Sequence, residues 1–167
     1  MVEKFFRFIR RRKKLTNICV RVIDCHILYL EHDEPLYLML KRSENQIYPG
    51  IWQCVTGKIE PDEKPYETAI RELNEETGLE PLKMWSVDRV NHYYEAVKDR
   101  MNLIPVFGVS VSTKTVKLSL EHVDYKWCPV EEAGEMMLWD QQKTGLLQFH
   151  KMITNDKAKM ELTEINF

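Results

Sequence analysis

Apolar positions fall into short runs separated by polar turns, and the spacing within the runs alternates between that of strands and that of helices. Residues 15–30 and 35–41 are rich in Val, Ile, Leu and Tyr and predict two strands joined by the turn His32-Asp33-Glu34. Another strand is predicted over 50–59, leading into a helix over 64–77. Residues 83–94 and 101–112 predict a strand pair around Val97-Lys98-Asp99-Arg100, with Pro105 placing the second strand at a sheet edge or a bulge. A strand over 123–128, a short helix from Glu131 and a helix over 139–153 complete the pattern. Leu146, Leu147, Phe149 and His150 are the inward candidates of the last helix, and beyond Asn155 the chain is polar and weakly patterned. This order predicts one α/β domain over 15–154, with an extension at 1–14 and a tail at 155–167.

The helix over 64–77 carries the most information. Pro65 suits a first helical turn, where a missing N–H is harmless, and Gly78 suits the left-handed position just past the end. With Glu72 as zero, Glu75 falls at about −60° and Glu76 at about +40°, so three acids share one strip of surface. Tyr66, Ala69, Ile70 and Leu73 occupy the adjacent arc and predict burial against a sheet. Arg71 stands four residues from both Glu67 and Glu75 and can restrain the strip, which is expected to face solvent. Clustered carboxylates repel by a few tenths of a kcal/mol per pair. A hard divalent cation reverses that cost, because Mg²⁺ takes carboxylate oxygens and bridges to phosphates.

A chain of 167 residues with 44% hydrophobic and 30% charged positions is an ordinary globular protein with one sizeable core. No apolar run approaches the ~20 residues of a membrane span. The cysteines Cys19, Cys25, Cys54 and Cys128 form no C-x-x-C pair and no zinc spacing, which favours free thiols in a reducing, cytoplasmic setting. The net charge of −2 hides an asymmetry, for residues 1–14 hold seven Lys or Arg against one Glu. That extension, which mixes aromatics with its basic run, is open to contact with anionic lipid or nucleic acid or, as is usual for such runs, to being a solvated tail or an extra terminal turn; its charge follows a very short apolar stretch, unlike a signal peptide. No nucleic-acid-binding module accompanies it.

Written as spacing, residues 57–79 read G, five residues, E, seven residues, R-E-L-x-E-E-x-G-L. This resembles the signature box of the Nudix (MutT-like) pyrophosphohydrolases, with Gly57, Glu63, Arg71, Glu72, Glu75, Glu76 and Gly78 in the required places. Leu38-Met39-Leu40-Lys41-Arg42, Trp52-Gln53-x-Val55-Thr56-Gly57 and Glu121-His122-x-x-Tyr125-Lys126-Trp127 are similar to segments of the dihydroneopterin triphosphate and dATP pyrophosphohydrolases. The resemblance implies an α/β/α sandwich with a mixed β-sheet. It further implies a Mg²⁺-dependent enzyme, with Mn²⁺ as a substitute, that splits a purine or pterin triphosphate into a monophosphate and pyrophosphate. The implied partner is that small molecule, with no DNA and no integral membrane association; the oligomeric state stays open.

The same resemblance assigns roles. Glu72 and Glu76 become metal ligands, with Glu75 sharing the ion directly or through water, and Glu121 a further ligand or the general base. Arg71 orients these carboxylates, so the catalytic set reads Glu72, Glu75, Glu121 and Arg71, while Glu63 braces the turn through a basic partner. Gly57 lets the backbone turn beside the helix. Trp52 is either a stacking platform or core, and Arg42 and Lys126 either neutralise phosphates or are plain surface charges. His92, Tyr93, Tyr94 and Trp127 are candidates for a base pocket or for the core. Other Nudix substrates, including oxidised nucleotides and RNA 5′ ends, remain alternatives. A silent nucleotide sensor would have no chemical need for all four box acids.

Overall fold

The computed structural model describes residues 15–167, and the basic extension at 1–14 lies outside them. Eight strands form one mixed sheet: β1 (Asn17–Val20), β2 (Val22–Glu31), β3 (Glu34–Arg42), β4 (Trp52–Gln53), β5 (Val55–Lys58), β6 (Lys83–Glu95), β7 (Arg100–Ser110) and β8 (His122–Cys128). Four helices accompany them: α1 (Pro65–Thr77), α2 (Val130–Met136), α3 (Asp140–Asn155) and α4 (Lys157–Thr163). Strand β7 is interior, antiparallel to the edge strand β6 on one side and parallel to β1 and then β2 on the other. Strand β2 continues to β3 through His32 and Asp33, both at positive φ, as a tight two-residue hairpin turn requires. It also pairs with β5, and β3 pairs with β4 and β8.

Alternation along the strands sends two sets of apolar side chains to opposite faces. Ile23, Cys25, Ile27, Leu38, Leu40 and Val55 meet Ala69 and Leu73 of α1 on one face. Leu28, Tyr37, Met39, Trp85 and Val106 meet Ala133 of α2 and Leu146, Phe149 and Met152 of α3 on the other. The result is a three-layer α/β/α sandwich. Burial of Leu73 contributes roughly 2 kcal/mol, which outweighs the like-charge repulsion along the neighbouring strip. On the α3 side the Phe149 ring lies 2.0 Å from where a Cβ on residue 108 would sit, so only glycine lets the helix dock this closely.

Several expected strands are subdivided. The run over 15–30 breaks at Arg21 into β1 and β2, and the run over 50–59 breaks at Cys54, β4 joining β3 while β5 joins β2. Pro105 sits in the interior strand β7 and not at an edge. The sheet opens around it on both sides: the register of β6 shifts between Ser86 and Val90, and on the other flank the β1 ladder ends at Leu103 before the β2 ladder begins at Val106. A residue without an N–H is placed where the ladders give way. Of the inward candidates in α3, Leu146 and Phe149 are buried, Leu147 is exposed, and His150 is half-buried with its Nδ1 2.9 Å from the Tyr37 hydroxyl. The weakly patterned segment beyond Asn155 forms α4, capped by Asp156, and the Ile165 N–H donates to the Met84 carbonyl.

Candidate active site

Local chemistry fixes α1 at both ends. Pro65 opens it, the Glu67 carboxylate accepts from the Lys64 N–H at 2.8 Å, and Gly78 closes it at φ 67°. Arg71 then ties the helix to the turn before it. Its Nε donates to Glu63 Oε1 at 2.9 Å and its Nη2 to Glu63 Oε2 at 3.1 Å. Its Nη1 donates to Glu72 at 2.8 Å and to Glu75 at 3.1 Å, and its Nη2 also reaches the Lys58 carbonyl at 3.0 Å. Glu67 turns to the helix start instead. Glu63 also accepts from Thr68 Oγ1 and from the Glu60 N–H, and these bonds, the Arg71 pair foremost, hold its pKa down to about 2.

The three strip acids have different surroundings. Glu75 is exposed, Glu72 is half-buried, and Glu76, expected on a solvent-facing strip, is only 4% exposed. The segment between β7 and β8 runs beside the end of α1. It is stitched to the end of α1 where Lys117 N–H donates to Thr77 O at 2.8 Å and Ser119 N–H to Glu76 O at 3.2 Å. The same segment delivers Glu121, whose carbonyl accepts from the Ser43 N–H at 2.8 Å. Burial, followed by the charges of Glu72 and Glu121, pushes the Glu76 carboxyl well above its usual range, while Arg42 and the Thr56 N–H act against this. Burial also raises Glu72, against the pull of Arg71, with Glu75 and Glu121 adding to the rise. Glu72, Glu76, Glu121 and Arg42 therefore act on one another.

The donor set fits a hard cation. Glu76 Oε2 is buried with no protein partner, and Glu72 and Glu121 beside it offer further carboxylate oxygens. Among the described residues no three His, Cys, Asp or Glu side chains stand close enough together to hold a metal ion by themselves. Gly57 makes room for this arrangement, for a Cβ there would lie 2.1 Å from Glu72 Cγ. Gly57→Ala is therefore expected to displace Glu72 and weaken Mn²⁺ binding by roughly 10-fold, read by titration calorimetry on folded protein. Unchanged affinity would remove Glu72 from the ligand set.

The other sequence candidates separate. Arg42 joins the acids, and its guanidinium also donates to the Ile47 carbonyl at 2.8 Å, closing the loop that carries Tyr48. Lys126 does not join them: it shares a sheet face with α2 and pairs with Glu132. Trp52 packs against the α3-side core with the Lys41 ammonium 5.9 Å from its ring centroid. Trp127 belongs to the α1-side core, edge-on to Tyr29, and the exposed Tyr94 donates to Asp99.

A cavity of about 430 Å³ opens on the α3 side of the sheet, lined by Asp24, Tyr48, His92, Tyr93, Ile104, Trp139, Gln141 and Gln142. Tyr48 and Trp139 stand edge to face with centroids 5.3 Å apart. Asp24 pairs in register with Thr56, the residue whose N–H supports Glu76, so the cavity and the acid cluster back onto the same point of the sheet. Sequence reasoning names His92 and Tyr93 but misses Asp24, Tyr48, Trp139 and Gln142. The only local signal was an acid, Asp24, within an otherwise apolar strand run.

Comparison with known proteins gives one consistent picture. The NUDIX domain model matches residues 20–149. The mouse bis(5′-nucleosyl)-tetraphosphatase (asymmetrical) is 28% identical over 127 residues, 73% of this chain and 83% of that protein. The nucleoside triphosphatase NudI of Escherichia coli is 27% identical over 121 residues, 67% of this chain and 84% of that protein. A Listeria monocytogenes structure described as a NUDIX hydrolase superposes with TM-score 0.68 at 26% identity, covering 81% of this chain and 95% of that one.

Proposed function

Because the chain belongs to the NUDIX family and is a pyrophosphohydrolase, we propose that it cleaves a purine or pterin triphosphate to a monophosphate and pyrophosphate with Mg²⁺. The observation that carries this reading is the buried Glu76 carboxylate, with an unpartnered oxygen, beside Glu72 and Glu121. Glu72 and Glu76 would hold the cation, with Glu121 brought in as a further ligand and Glu75 reaching it through water. An ion held by these carboxylates would supply an acidified water and charge to neutralise phosphate oxygens. Arg71 keeps Glu72 and Glu75 in place, Arg42 faces the phosphate chain, and the cavity beyond the sheet seats the ring. Glu121 acts as a ligand in this reading, its carboxylate carried on a segment fastened to α1. Free Cys19, Cys25, Cys54 and Cys128 support a cytoplasmic setting, and no helix among the described residues is long and apolar enough to cross a membrane.

Hydrolysis in ¹⁸O-labelled water tests the bond cleaved. Attack at the α-phosphorus places label in the monophosphate and releases unlabelled pyrophosphate. Label confined to pyrophosphate excludes that course. A second reading, cleavage of a dinucleoside tetraphosphate, draws support from the mouse relative. A side-by-side panel of nucleoside triphosphates, a pterin triphosphate and diadenosine tetraphosphate separates the two: faster cleavage of the dinucleotide would replace the first.

A further inference from the structure

The α1-side face of the sheet is covered along only part of its length. Strand β7 gives Phe107 and Val109 to the core beneath α1. Alternation sends Met101 and Leu103 to the same face, but they belong to neither apolar core. Ile18 and Tyr94 stand in register beside Met101, and Val20 beside Leu103. Ile18 is 70% exposed, and Val20 and Tyr94 are exposed as well. Strand β1 pairs with β7 alone, so among the described residues its outer edge is open. The Thr16 hydroxyl donates to Asp99 at 3.2 Å and ties the start of β1 to the end of the β6–β7 hairpin. Leu15 and Val97, 77% and 91% exposed, therefore share this corner of the molecule. Apolar side chains gathered in this way on one face mark a contact surface.

The charge at the same end is positive. The fourteen residues that run into Leu15 hold seven Lys or Arg against one Glu, interleaved with Phe5, Phe6, Phe8 and Ile9. Arg21 and Lys98 are exposed. The acids of the hairpin end are engaged: Glu95 pairs with Arg100, and Asp99 accepts from Thr16 and Tyr94. We propose that this end of the domain is a docking surface for an anionic lipid bilayer. Ile18, Val20, Tyr94 and Val97 enter the headgroup boundary, and the basic residues of 4–14 meet the lipid phosphates and carboxylates. A second copy of the chain would satisfy the apolar row, but pairing through β1 would bring two strongly cationic segments together. A nucleic acid would take the charge and leave the aliphatic row without a partner. A bilayer of negative surface charge accepts both.

Sedimentation of the full chain with vesicles tests the proposal. Vesicles of phosphatidylcholine mixed with phosphatidylserine are expected to bind roughly 10-fold or more tightly than phosphatidylcholine alone, with the difference shrinking as salt is raised. Reversing charge at Arg10, Arg11 and Arg12 to Glu should abolish the preference for the anionic vesicles. Ile18→Asp together with Val20→Asp should weaken vesicle binding by roughly 10-fold and leave hydrolysis in solution unchanged, which also reports that the variant is folded. In amide NMR of the wild-type protein, a lipid with a paramagnetic headgroup should broaden Ile18, Val20 and Val97 and spare α3, a readout independent of any variant. Equal binding to both vesicles, or broadening that misses β1, overturns the inference. So does a nucleic-acid oligomer that binds more tightly than the anionic vesicles, or a dimer in solution that Ile18→Asp dissociates.

Discussion

Glu76→Gln should lower turnover by about 10²-fold or more at saturating Mg²⁺ while raising the stability of the protein without added divalent cation. The two effects share one cause. Glu76 is desolvated, lies beside two other carboxylates, and has an oxygen that no protein group satisfies. A charge in that position is expensive in the resting fold and useful once an ion shares it. The near-isosteric amide keeps the shape and one acceptor oxygen for the Thr56 N–H, so the sheet and α1 are retained. Steady-state kinetics with increasing Mg²⁺, together with urea denaturation in EDTA, reads both effects. Near wild-type turnover would remove Glu76 from the site.

The second large effect concerns stability against acid. His26 is 1% exposed, its Nε2 lacks a partner, and burial pushes its pKa from 6.5 down to about 3. Between those values the unfolded chain binds a proton that the folded protein refuses. Stability is therefore fully present above about pH 6.5 and is lost as pH falls toward the folded value, by about 2 kcal/mol between roughly pH 7 and 5. Burial raises the Asp24 carboxyl, whose contribution runs in the opposite sense. Comparison with His26→Leu isolates the histidine. Denaturation midpoints across this range should fall in the wild type and fall distinctly less in the variant. Parallel profiles would show that His26 becomes charged in the fold without cost.

The acid helix was legible because its information is local. Pro65, Gly78 and the spacing of Ala69, Leu73 and the glutamates fix a helix, a buried arc and an acid strip within one short segment. Burial of Glu76 was not legible, since the groups that act on its carboxyl from outside α1, Arg42, Thr56 and Glu121, lie elsewhere along the chain. The cavity floor was harder still: Asp24 meets Asn91 and Gln142 across 67 and 118 residues of sequence. Lys126 illustrates the converse. Its neighbours in sequence resemble a site, but strand alternation sends it to the face opposite α1, where it meets Glu132. Pro105 was readable as a disturbance of the sheet and not as a member of an interior strand, because the accommodation lies in β6 and in the gap after β1.

Arg71 has a consequence for how this helix can change over evolutionary time. One guanidinium serves Glu63, Glu72, Glu75 and the Lys58 carbonyl together. Substitutions at these positions do not act independently, because each alters the geometry that the others share through the arginine. Replacing Glu63 would release Arg71 toward the acids it now holds apart, and an exchange of both partners would cost less than the two single changes added together. The helix and its turn are thus inherited as one epistatic unit, while the cavity across the sheet, which shares none of these bonds, can diversify around it.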